Sequence, residues 1–145
     1  MLKRFRRLSS WKCFKRGAMF LIHWGWCLPQ ALCGLAWYFF ILLTGGVGDF
    51  IKFKKTNATA YKNRKDGVSL GHFIFYPSGK SQMLKHEYGH YRQSLMLGPM
   101  YLIVIGIPSF IWSIYYRITK PNCSYYSFYT ERWADKLAGI NRGGK

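Results

Sequence analysis

The sequence predicts an α+β domain, with a small antiparallel sheet, two helices that carry candidate metal ligands, and two apolar stretches embedded in a membrane. Three observations predict it. Residues 86–90 read His-Glu-Tyr-Gly-His, an H-E-x-x-H, which on a helix puts both histidines one turn apart on the same face. Residues 17–44 and 95–116 contain no Asp, Glu, Lys or Arg. Residues 67–76, GVSLGHFIFY, alternate as a strand does.

At 145 residues the chain suits one domain and is short for two cores. Its formal charge of +17 would ordinarily raise nucleic acid as a partner. Here the basic segments alternate with long apolar ones, so a bilayer with anionic lipids is the expected polyanion and nucleic acid is not. Cys13, Cys27, Cys33 and Cys123 form no C-x-x-C, and two of them lie in an apolar stretch. That is neither a disulfide framework nor a zinc ribbon, and it fits a reducing compartment. No pattern specifies an oligomeric state.

Residues 1–16 form a basic arm with Lys3, Arg4, Arg6, Arg7, Lys12, Lys15, Arg16 and no acid. Trp11 and Phe14 among these charges favour a membrane surface over a merely solvated tail. Residues 17–44 are the first membrane segment, too long for the apolar part of a signal peptide and followed by no A-x-A-like cleavage site. Pro29 interrupts it, so a pair of half-helices stands beside a single span. His23 reads as a hydrogen-bonded histidine rather than a ligand.

Residues 50–80 are read as the small sheet, with strands around 51–54, 59–62 and 67–76 and a turn at Asp66-Gly67. Val68, Leu70, His72, Ile74 and Tyr76 fall on one face of the last strand. Ser78 or Ser81 is the expected cap of the active helix, residues 81–97, which Gly98-Pro99 ends. Residues 98–117 are expected to re-enter, because Gly106, Pro108 and Ser109 divide the second apolar stretch into halves about a leaflet deep if helical. A second ligand helix is expected within residues 125–139, with Gly139 ending it.

Zinc in a hydrolase takes three protein ligands and leaves a fourth position for water. His86 and His90 supply two, with Glu131, Asp135, His72 and Asp66 as candidates for the third. Glu131 is preferred, because Asp135 four residues later can accept the outer N–H of a ligating histidine and fix its tautomer. The chain holds only five carboxylates, so three of them falling in these two motifs is itself a signal. Glu87 is placed to take a proton from water that zinc has acidified and pass it to a leaving amine. An oxyanion donor could come from His72, Tyr129, Tyr88 or Arg132, each of which also has an ordinary structural role. An H-E-x-x-H-x-x-G-x-x-H site is excluded, since Gln93 and Met96 stand where its glycine and third histidine belong. If the second apolar stretch crossed the bilayer, Glu131 would be parted from the histidines, hence the expected return to the same side. All polar segments are net basic, which places them, the catalytic part included, on the cytoplasmic face. A single N-terminal span with the catalytic part outside is the alternative topology.

H-E-x-x-H at His86, Glu87 and His90, followed by E-x-x-x-D at Glu131 and Asp135, resembles the gluzincin, or thermolysin-like, zinc metallopeptidases. The resemblance implies a minimal zincin-like core whose sheet edge binds an extended peptide or membrane-protein substrate. It covers about a third of the chain and departs from that family in the apolar stretch between the two ligand helices. Residues 97–109 also look like small membrane-associated bacterial zincins. A non-enzymatic basic membrane-binding protein with a structural metal site is the competing reading. An intramembrane protease is disfavoured, because Asp49, the only acid near an apolar stretch, lacks an N-P-D-G-like setting.

Overall fold

The structure, a computed structural model, describes residues 25–54, 56–62 and 64–142. The basic arm of residues 1–16, residues 17–24 of the first apolar stretch and His23 lie outside these. Among the described residues the fold is α+β, with four helices of ten residues or more and a mixed four-stranded sheet.

Helix α1, Leu28–Leu43, holds Pro29 in its first turn, where the absent N–H would have had no intrahelical partner. Gly25 and Trp26 are helical as well, so the apolar stretch is interrupted by a turn at Cys27, with the proline opening the helix that follows. The N-terminal end of α1 is fixed to the chain beyond residue 94. Gln30 donates to the Gly98 carbonyl at 2.9 Å and the Trp26 indole to Leu95 at 3.2 Å. A side chain on Gly98, at φ +53°, would overlap the Trp26 ring.

The strands are β1, Val47–Phe53; β2, Thr56–Tyr61; β3, Val68–Leu70; and β4, Phe73–Pro77. Their order is β1-β2-β4-β3. The sheet is not antiparallel throughout: β1–β2 and β3–β4 are antiparallel, but β2 and β4 run parallel, Asn57 facing Phe73 and Tyr61 facing Pro77. The single strand expected over residues 67–76 is a hairpin. Gly71 takes a φ of +59° and His72 does not, the pattern of a two-residue turn that begins with glycine. Reversal at residues 71–72 sends β3 back to the edge and leaves β4 to pair with β2. The Asp66-Gly67 turn thus leads into a crossover, not a hairpin between neighbours.

Helix α2, Ser81–Leu97, packs across the sheet on Leu84, Tyr88, Tyr91 and Leu95, against Ala58, Ala60, Ile74 and Tyr76. Neither expected serine caps it. Lys80 occupies the cap position, and Ser78 instead donates to the Tyr61 carbonyl at 2.9 Å.

Residues 102–119 form one continuous helix, so the chain does not fold back at Gly106–Ser109. A π-helical turn, Leu102–Gly106, leads straight into α3, Ile107–Thr119, with Pro108 in its first turn. Pro108 has no N–H for the carbonyl four residues earlier, that of Val104. The Tyr129 hydroxyl donates to that carbonyl at 2.6 Å. Reversal comes later, after Lys120 in the left-handed conformation (φ +46°), and residues 121–128 run back along α3. Trp112 donates to Tyr125 O at 2.9 Å and stacks on Phe128, while Tyr116 donates to Cys123 O at 2.8 Å. Helix α4, Tyr129–Ala138, follows, ended by Gly139 at φ +71°.

Candidate metal centre

The site is the contact between α2 and α4. Gly89, inside the H-E-x-x-H, lies against the backbone of Ala134, so close that a Cβ there would overlap the Ala134 carbonyl. A glycine facing a buried alanine lets the two helices approach without side chains between them. The acids on the turns flanking Ala134 then reach the histidines on the turns flanking Gly89.

Glu131 Oε2 lies 3.0 Å from His86 Nε2 and 3.3 Å from His90 Nε2. All three residues are buried, and their ligand atoms lie within 4.8 Å of one another. Tetrahedral coordination with legs of about 2.0–2.1 Å separates ligand atoms by about 3.3 Å. His86, His90 and Glu131 therefore form a buried group that could hold a metal ion.

Each of the three side chains is oriented from outside. Asp135 Oδ1 accepts from His86 Nδ1 at 2.7 Å, and Arg142 grips the same carboxylate through two nitrogens at 2.5 and 3.1 Å. Gln93 Oε1 accepts from His90 Nδ1 at 2.7 Å while its amide nitrogen donates to Thr130 O at 2.9 Å. The Thr130 hydroxyl donates to Glu131 Oε1 at 3.2 Å, leaving Oε2 toward the histidines. These outer partners fix which nitrogen or oxygen faces inward. The Tyr126 ring stands edge-on to His86 at 5.2 Å, and the Arg142 guanidinium lies over that ring.

Charge follows from this wiring. Burial works against a charged His86, but hydrogen bonds to Asp135 and Glu131 outweigh it and raise its pKa to about 9. Burial likewise opposes ionisation of Glu131, and its hydrogen bonds to the two histidines overcome that and hold it well below the usual carboxylate range. Glu87 is 4% exposed, and burial pushes its carboxyl up against the opposing pull of His90 and His86. Its carboxylate abuts Gly67, where a side chain would overlap it, just before the edge strand β3.

The remaining candidates are elsewhere. His72 sits in the β3–β4 turn, with its ring 6.0 Å from that of Tyr91. Asp66 pairs with Arg117 at the surface at 2.5 Å. Tyr129 is half exposed with its hydroxyl on Val104 O, Tyr88 packs on Phe53 and Tyr91, and Arg132 is exposed. Gln93, Thr130, Tyr126 and Arg142 belong to the site without having been picked out in the sequence. For Gln93 a signal existed, since it lies three residues after His90 on the same helical face.

No protein family, curated protein or solved structure matches the chain. What is established is the class of arrangement, an α+β domain with a buried His-His-Glu group able to hold a metal.

Proposed function

We propose that this chain is a membrane-associated zinc metallopeptidase of the gluzincin type. The observation that carries the reading is the convergence of His86 Nε2 and His90 Nε2 on one oxygen of Glu131, with Glu87 next to the first histidine on the same helix. Zinc bound by those three residues would supply Lewis acidity toward a carbonyl oxygen and toward water. Glu87 is the proton carrier. Its buried carboxyl is more basic than a solvated one, so it takes a proton from water and gives it to the departing amine. Asp135 and Gln93 keep the histidine tautomers fixed while that proton moves.

Substrate would lie along the free edge of β3. Tyr101 donates its hydroxyl to Ser69 O at 3.1 Å and closes the edge there. The stretch around Gly67, beside Glu87, is left for an extended peptide to pair with. Peptides or membrane-proximal protein segments are the proposed substrates, and the basic balance of the polar segments supports a cytoplasmic site.

One observation favours a structural metal instead: His86, His90, Glu131 and Glu87 are all less than a tenth exposed, as in a closed site. Glu87→Gln separates the two. A peptidase retains its metal in this variant and loses hydrolysis of a quenched-fluorescent peptide library. One zinc per chain, with no hydrolysis by wild type, would leave the structural site and remove the enzyme.

A further inference from the structure

Helix 102–119 has 18 residues and a length of about 27 Å, close to the roughly 30 Å of a bilayer's apolar core. Both of its ends are nevertheless tied to the same side of the α+β body. At the start, Tyr101 donates to Ser69 O. Near the end, Arg117 pairs with Asp66 at 2.5 Å. Ser69 and Asp66 are three residues apart, so at most about 11 Å separates their Cα atoms. The Arg117–Asp66 pair is exposed and adds little stability, so it marks where the helix end lies rather than holding it there. Between the ends, Val104, Trp112 and Tyr116 hold the returning segment of residues 123–129. If this helix crossed a bilayer, residues 123–129 would run back beside it through the apolar core, and the chain from Ser69 to Asp66 would have to reach from its first end to its last.

The outer face of the helix tells the other half. Ile103, Ile107, Phe110, Ile111, Ile114 and Ile118 are 43–76% exposed and recur at intervals of three and four, one unbroken apolar stripe. Arg117 and Lys120 at its end, and Arg64 and Lys65 beside Asp66, are exposed as well. An apolar stripe bordered by cations, on a chain of charge +17, complements an anionic lipid surface.

From these contacts we infer that helix 102–119 is an in-plane docking helix: it lies along an anionic bilayer surface with its isoleucine stripe in the lipid and does not span. The inference rests on the membrane association proposed above and is independent of the peptidase chemistry. It also keeps the candidate metal centre on the one side of the bilayer that the helix never leaves.

Two measurements test it on the full chain. The first is flotation with phosphatidylcholine vesicles, with and without phosphatidylglycerol. Wild type is expected to float with the anionic vesicles and to be released by salt. Ile111→Lys or Phe110→Lys, at exposed positions where folding is undisturbed, is expected to weaken partitioning about tenfold each. The second is membrane-impermeant maleimide labelling of a chain whose cysteines are Cys123, just beyond the helix, and Lys80→Cys, on the body, with Cys13, Cys27 and Cys33 replaced by alanine. In sealed vesicles, intact mass should show two labels or none on each molecule. One label per molecule, becoming two only on lysis, means a spanning helix and overturns the inference. Failure to float with either vesicle, with self-association that Ile111→Lys abolishes, means that a second copy covers the stripe and overturns it too. Zinc content and hydrolysis, measured separately, report on the peptidase reading and not on this one.

Discussion

Gly89→Ala tests whether the site depends on how closely α2 and α4 approach. An added Cβ would stand 2.7 Å from the Ala134 carbonyl carbon and 3.0 Å from its Cα, against ordinary carbon contacts of about 3.5–4.0 Å. The helices must part by close to 1 Å. Alanine by itself favours the helix by about 1 kcal/mol over glycine. Overpacking costs about 1–3 kcal/mol, so global stability should fall by no more than about 2 kcal/mol. The ligands suffer more. Separations of 3.0 and 3.3 Å grow toward 4 Å, a distance that legs of about 2.0–2.1 Å bridge only when nearly straight. Zinc affinity, measured by competition with a chromophoric chelator, should drop at least tenfold while far-UV circular dichroism keeps its helical signal. Wild-type affinity in Gly89→Ala, with unchanged or higher thermal stability, would refute the claim that this contact sets the site.

Asp135→Asn should lower zinc affinity by about 10- to 100-fold in the same titration, because the acceptor that fixes His86 is weakened. Tyr129→Phe should cost about 1 kcal/mol in denaturant unfolding, since the Val104 carbonyl freed by Pro108 loses its donor. The metal-free protein should lose stability as pH rises from about 6.5 to about 9. His86 binds its proton more tightly folded than unfolded, so its contribution is complete below the lower value and gone above the upper. Thermal melts across that range check the sign, and a flat or rising Tm would contradict it.

Local patterns in the sequence carried well. H-E-x-x-H and E-x-x-x-D each place two side chains on one helical face by spacing alone, and Gly98 and Gly139 stop their helices where the periodicity ends. Non-local pairing did not carry. Residues 67–76 alternate acceptably as one strand, and the reversal at Gly71 is hidden because glycine in a strand pattern can equally mark a bulge. Once that turn is missed, the parallel pairing of β2 with β4 cannot be reached. Pro108 misleads in a similar way: it looks like a break because the phenol that tolerates it comes from Tyr129, twenty-one residues on. The Gly89–Ala134 contact was invisible for the same reason, each residue being unremarkable until the helices meet.

Glu131 and His90 are 41 positions apart, and the chain between them contains the whole apolar helix and its return. A metal joining them would therefore be a buckle on a long strap. By loop-closure arithmetic, a cross-link of that span removes about 4 kcal/mol of entropy from the unfolded chain. With an ion bound there, its removal should loosen α4 and helix 102–119 together, so that hydrogen exchange in residues 102–138 would rise before that of the sheet.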